Sequence, residues 1–220
     1  MQLGWDWNIT WNSLPVLLDG LRVTLLATGG GMLLALVLGL LLSILRRSDS
    51  RWISWPTAGA IEFIRSTPLL IQLFFVYFLL PEFLWYGPLT TGILVLGLHY
   101  SSYTSEVYRS GIESVDRGQW DAARALNYAP RRIWTRIIIP QAIPPIVPAM
   151  GNYLVAMFKD TPLLYAITVQ EMLSEANNYN SRVGSYVESY TMVGLFFLIL
   201  SLGAAALIRW AEHRFQLREA

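Results

Sequence analysis

Long apolar stretches separated by short polar ones set the pattern of this chain. Leu25–Leu45, Phe83–Ser105, Ile137–Phe158 and Ser189–Ile208 contain no charged residue. As helices, each is long enough to cross or nearly cross a hydrocarbon core of about 30 Å. A fifth stretch, Ser66–Pro81, is shorter but extends back through "AIEFI" toward the Trp52–Pro56 segment. One such run fits a buried helix of a soluble domain. Five in one chain point instead to an all-α polytopic membrane protein of about five transmembrane helices. The loops between them are short, so residues 1–220 are expected to form a single transmembrane domain.

Irregular positions refine this picture. Gly29–Gly31 in the first run permit close helix–helix approach in lipid, or merely weaken the helix. The fourth run contains Pro140, Pro144, Pro145 and Pro148. Interior prolines remove backbone hydrogen bonds, and in a membrane such backbone is tolerated only where protein or a water-filled cavity covers it. This span is therefore expected to face the protein interior. The segment that follows, "TPLLYAITVQEML", is too short to cross and fits a re-entrant or interfacial helix.

Composition agrees with lipid as the solvent. Of 220 residues 54% are hydrophobic and only 14% charged, with a mean hydropathy of +0.42, against about a quarter charged in soluble domains. The net charge of +1 is uninformative, but its distribution is not. Arg46, Arg47 and Arg51 follow the first span, and Arg117, Arg124, Arg131, Arg132 and Arg136 the third. Arg209, Arg214 and Arg218 follow the last, whereas "MQLGWDWNITWNS" and "PEFLWYGP" hold no Lys or Arg. The positive-inside rule then predicts an outer N-terminus and a cytoplasmic C-terminus. Trp5, Trp7, Trp11 and Trp85 would anchor the outer interface, and Trp52, Trp55, Trp134 and Trp210 the inner one. With no basic residue near its start and a long first span, the chain is not expected to carry a cleaved signal peptide.

Catalytic chemistry is hard to find. There is no cysteine, hence no disulfide, thiolate metal site or cysteine nucleophile. The single lysine, Lys159, does not follow a glycine, so no P-loop exists to cradle phosphates. His99 and His213 are isolated, with no HExxH and no G-x-S-x-G, and His99 reads as a hydrogen-bonded packing residue. No catalytic residue, metal ligand or cofactor is expected on this chain. Work against a gradient would draw its energy from another subunit or an ion.

"QWDAARALNYAPRRIWTRIIIP", Gln119 to Pro140, is the polar exception between apolar runs. It reads as two short helices joined at Asn127–Ala129. Asp116 is a candidate N-cap with Gln119 three residues on, as in a capping box. Asn127 accepts the left-handed conformation that ends a helix, and Pro130 suits the first turn of the next. Trp120, Ala123 and Asn127 share one stripe with Ala122 and Leu126 beside it, while Arg117, Asp121 and Arg124 take the other side. So short a helix is unstable alone; small alanines suit it to docking. A DNA-reading helix-turn-helix and a plain solvated loop are the alternatives.

"DAARALNYAPRRIWTRIIIPQA" resembles the EAA loop of membrane permease subunits of bacterial ABC importers. "EFIRSTPLLIQLFFVYFLLP", "EVYRSGIESVDRGQWDAARAL" and "GNYLVAMFKDTPLLYAI" are similar to the polar-amino-acid branch of that family, and "DTPLLYAITVQEML" to permeases for ectoine and hydroxyectoine. The likeness runs from about Leu14 to Arg209. Two departures are Asp121, where glutamate is usual, and Asn127, where glycine is usual.

The resemblance implies the type I ABC importer permease fold in a bacterial cytoplasmic (inner) membrane, with residues 116–132 as a cytoplasmic coupling hairpin. Trp120, Asp121, Ala122, Ala123, Arg124, Leu126 and Asn127 would dock an ATPase. It also implies two ATP-binding subunits carrying ATP and Mg, a second permease (identical or homologous), an extracytoplasmic binding protein and a small polar zwitterion as substrate, with no nucleic acid. A self-sufficient secondary transporter or channel and an intramembrane enzyme are the competing classes. Gln72, Glu106, Arg109, Lys159 and Asp160, polar or ionisable groups within or near the spans, are candidates for the substrate pathway. They equally fit internal roles, Glu106 with Arg109 or Lys159 with Asp160 as mutual pairs and Gln72 as a bridge between helices.

Overall fold

The computed structural model describes residues 5–79 and 87–216, and all regular structure among them is helical. Helix α1 runs from Trp7 to Arg46, much further toward the N-terminus than the apolar run that predicted it. Asp6 caps it, accepting a 2.7 Å bond from the Asn8 amide. Ser13, Leu17, Gly20, Thr24, Ala27, Gly31, Ala35 and Gly39 recur along it at helical spacing and are buried. Small residues at that spacing let a neighbouring backbone approach closely, which is how helices associate in lipid.

The main neighbour is α4, Pro88–Glu113. A β-carbon added at Gly39 would collide with the Thr104 hydroxyl, and one at Gly97 would come within 2.6 Å of Leu34. Thr104 closes the seam by donating to the Ala35 carbonyl at 2.8 Å. Of the three consecutive glycines only Gly30 and Gly31 meet neighbours, Ile93 and Leu96 with Met157, while Gly29 faces open space.

The expected fifth span is broken. Helix α2, Arg51–Ser66, and the segment Leu69–Leu79, made of α3 (Leu69–Phe74) and a π-turn, meet at 103°. Pro68 disfavours helical backbone in the residue before it, and Thr67 is extended at φ −106°, ψ 137°. Gln72 bridges the break, donating to the Ile64 carbonyl at 2.8 Å and to the Thr67 hydroxyl at 2.7 Å. Phe83, the start expected for the following span, lies with Pro81, Trp85 and Arg218 outside the described residues.

Helix α5 (Arg117–Ala125) leads through the single turn α6 (Pro130–Ile133) and a π-turn at Trp134–Ile138 into α7, Ile139–Asp160. The four prolines do not interrupt α7, so the second arm of the polar hairpin is the foot of a long helix rather than a separate short one. "TPLLYAI" forms a 3₁₀ turn, Thr161–Ile167, whose Leu164 and Ile167 are fully buried against the other helices. Helix α8, Met172–Val183, then packs on the N-terminal half of α1, where a β-carbon at Gly20 would come within 2.7 Å of the Met172 backbone. Helix α9, Val187–Gln216, completes the chain.

By length and apolarity α1 and the Val187–Trp210 part of α9 can cross a membrane, and the pair bent by 103° adds a third crossing only if it acts as one broken span rather than a re-entrant loop. Helices α4 and α7, with 26 and 22 residues, reach about 39 and 33 Å at 1.5 Å per residue.

Candidate functional site

The polar hairpin is closed at both ends by local bonds. Asp116 accepts from the Gly118 amide at 2.7 Å, and Gln119 contributes only its backbone amide, to the Asp116 carbonyl at 3.0 Å. The cap is therefore a single aspartate rather than the reciprocal box expected with Gln119. At the other end Asn127 has φ +54°. Its amide donates to the Arg124 carbonyl at 2.9 Å and that of Tyr128 to the Ala123 carbonyl at 3.1 Å. These two bonds around a left-handed residue make a Schellman motif.

One face of α5 is glued to the rest of the chain. Ala123 is 2% exposed and packs with Val115, Ile133, Ile138 and Ala142. Trp120 stacks edge-on against Trp134 at 5.1 Å. The stripe expected to present Trp120 and Ala123 to a partner therefore turns inward at both, because alanine is small enough for α5 to lie on the foot of α7. Asp121, Ala122, Arg124, Leu126 and Asn127 remain exposed, Leu126 at 67%. A push on α5 thus passes directly to α7, and through Val115 to the end of α4.

Glu106 and Arg109 belong to an ion-pair lattice. Glu106 pairs with Arg46 of α1 and with Arg109 at 2.7 Å, and Arg109 also reaches Glu113 at 2.6 Å. Their charges are saturated by each other, which ties the end of α1 to α4.

Lys159 and Asp160 do not pair; successive helical residues point about 100° apart. Asp160 accepts a 2.7 Å bond from the Tyr100 hydroxyl. Around it gather Tyr103 and Tyr153, with ring centroids 5.4 Å apart, and His99, 5.4 Å from Tyr103. The Arg65 guanidinium lies 5.5 Å over the Tyr103 ring, and His99 Nδ1 is 3.1 Å from Gln72 Oε1. Gln72 and Asp160 thus border one cluster of aromatic rings with an acid and a base at its edges. Tyr100, Tyr103, Tyr153 and Arg65 were missed in the sequence, although Tyr100 and Tyr103, and likewise Tyr153 and Asp160, stand at helical spacing.

Lys159 faces the other way. It continues an α7 stripe through Gln141, Pro145, Pro148, Asn152 and Val155 that lines two cavities, of about 900 and 470 Å³, shared with α9. Each proline at i withholds the amide that the carbonyl at i−4 needs. The Gln141 and Pro144 carbonyls, affected by Pro145 and Pro148, belong to residues lining the larger cavity; Arg136 and Pro140, whose carbonyls are affected by Pro140 and Pro144, do not line it.

Known proteins give the same architecture. The family described as binding-protein-dependent transport system inner membrane component matches residues 31–217. A probable amino-acid ABC transporter permease protein of Sinorhizobium fredii is 48% identical over 197 residues, covering 89% of this chain and 85% of that one. A glutamate/aspartate import permease protein of Escherichia coli is 30% identical over 218 residues, covering 95% and 97%. A crystal structure of an amino acid ABC transporter with histidines superposes with a TM-score of 0.91 at 30% identity, over 96% of this chain and 100% of that one. An inward-facing methionine ABC transporter, at 18% identity and a TM-score of 0.67, shares the fold over 96% of this chain and 97% of that one.

Proposed function

Because the chain belongs to the family of binding-protein-dependent transport system inner membrane components and is the inner-membrane permease subunit of an amino-acid ABC importer, we propose that it forms half of a pathway for a polar amino acid or a related small zwitterion such as ectoine. On this reading it works with a second permease and an extracytoplasmic binding protein. An ATPase subunit, holding ATP and Mg²⁺, docks on the exposed side of α5 from the cytoplasm. The observation that carries the reading is the fastening of α5 to the foot of α7 through Ala123, Ile133 and Ile138, which turns a docked helix into a lever on the pathway.

The Tyr100–Tyr103–Tyr153 cluster suits the substrate. Aromatic faces and the Asp160 carboxylate attract an ammonium or amidinium, and Arg65 is placed to meet a carboxylate. Lys159, exposed on the α7 stripe, lies on the face that a second permease would cover.

The test is co-purification of the ATPase with substrate-stimulated hydrolysis in vesicles. Ala122→Trp, on the exposed side of α5, is expected to lose the ATPase while the permease still inserts. Asp121→Ala, lacking the carboxylate at the middle of α5, is expected to assemble but to couple poorly, with stimulated hydrolysis down about tenfold, or ~1.4 kcal/mol. Wild-type behaviour in both variants excludes α5 as the docking site.

A further inference from the structure

A second polar site at the foot of the chain lies apart from the aromatic cluster and shares only Asp121 and Arg124 with the exposed side of α5. Arg117, Trp120, Asp121 and Arg124 follow one another at i, i+3, i+4 and i+7 and form one stripe down the flank of α5. Arg47, at the C-cap of α1, closes the space opposite. Together they line a cavity of about 450 Å³. Three guanidiniums and one carboxylate meet there. The carboxylate is only weakly engaged, since Arg124 lies 3.4 Å from Asp121 and both side chains are largely exposed and screened by solvent. Among the described residues Arg47 and Arg117 have no acidic partner, although Arg47 is placed over the Trp134 ring at 5.8 Å.

With three guanidiniums against one carboxylate the lining is short of negative charge, and planar guanidiniums match the oxygens of a phosphate. Arg47 ends the longest apolar helix, and Trp52 and Trp55, just beyond it, are 91% and 72% exposed, as in the aromatic belts at a membrane–water boundary. The cavity therefore opens at headgroup level. We propose that it holds the phosphate of an anionic phospholipid of the inner leaflet, bridging the end of α1 to the flank of α5. This rests on the reading of α5 as cytoplasmic. Basic pockets beside helix ends on that side of a membrane recognise lipid headgroups. Lipid bound here would brace the coupling helix from the membrane side while the ATPase holds its exposed end.

The experiment uses the assembled transporter in nanodiscs of phosphatidylcholine with or without phosphatidylglycerol. Retained phosphatidylglycerol is counted by native mass spectrometry after detergent exchange. Wild type is expected to retain it, and Arg47→Gln/Arg117→Gln to retain at least tenfold less, with the ATPase still bound and millimolar inorganic phosphate unable to displace the lipid from wild type. Equal retention in the variant overturns the proposal. Displacement by inorganic phosphate reassigns the cavity to a free anion, and loss of the ATPase with unchanged lipid reassigns it to the subunit interface. Because lipid retention and ATPase binding are read separately, failure here is distinguishable from failure of the docking assignment.

Discussion

Glu171 shows how one residue can be both cap and liability. On the connection between the 3₁₀ turn and α8, outside the spans, it is fully buried and accepts bonds from the Leu173 and Ser174 amides at 2.9 and 2.7 Å. Those bonds favour the carboxylate, but burial outweighs them and pushes its pKa up to about 7. A raised folded pKa means that the native state holds its proton more tightly than the unfolded chain. Its stabilising contribution is complete below the unfolded value, near 4.5, and is lost as pH rises through 7. Thermal unfolding in detergent should therefore show a decline between pH 5 and 8 on the order of 3 kcal/mol, and Glu171→Gln should flatten it. An unchanged slope in that variant would place the titration elsewhere. Local chemistry of other kinds was readable in advance: Asp116 and Asn127 act on backbone within a few residues of themselves, and both do as their residue types dictate. The Tyr100–Asp160 bond was not readable, because it joins positions 60 apart in sequence and depends on how α4 and α7 are rotated about their axes.

Among elements, α5 separates what periodicity can tell from what it cannot. Its stripes were visible in sequence, but the identity of the face that turns inward depended on the α6–α7 foot, whose continuity through four prolines no propensity predicts. Ala123 is the residue that decides it. A tryptophan there overpacks a closed contact, at a cost of about 1–3 kcal/mol or more, so Ala123→Trp should lower the melting temperature of the isolated permease and expose the hairpin to protease. Ala122→Trp should do neither. Equal protease resistance in the two variants would mean that α5 is not seated as described. The bent α2–α3 pair was half legible: Pro68 announces a break, while the 103° angle comes from tertiary packing and from Gln72 satisfying the carbonyls released by it. The expected limits fell short at the N-terminal end of α1 and the C-terminal end of α4, since hydropathy marks the stretch in contact with lipid and the helices continue beyond it, whereas α4 begins only at Pro88, behind the non-helical Gly87.

At the scale of the molecule, the arginines predict an outer N-terminus and a cytoplasmic C-terminus, an orientation open to direct test. A single cysteine replacing Asn8 should react with an impermeant reagent added outside intact cells, and one replacing Gln216 only after permeabilisation. The reverse pattern would invert the protein and remove the coupling surface from the cytoplasm. Helix α1 has a consequence of a different kind. At 40 residues it is about 60 Å long, twice the hydrocarbon core, and α2, α4, α7, α8 and α9 all pack against it. It leaves the ribosome before every element that packs on it. Its stripe of glycine, serine and threonine must wait for most of the chain to be made, since the hydroxyl of Thr24 receives its bond from the amide of Met172, 148 residues later. The newborn protein therefore carries an unfinished seam through nearly the whole of its synthesis, and a chain cut short before α8 leaves Gly20 and Thr24 without the surface they were shaped to meet.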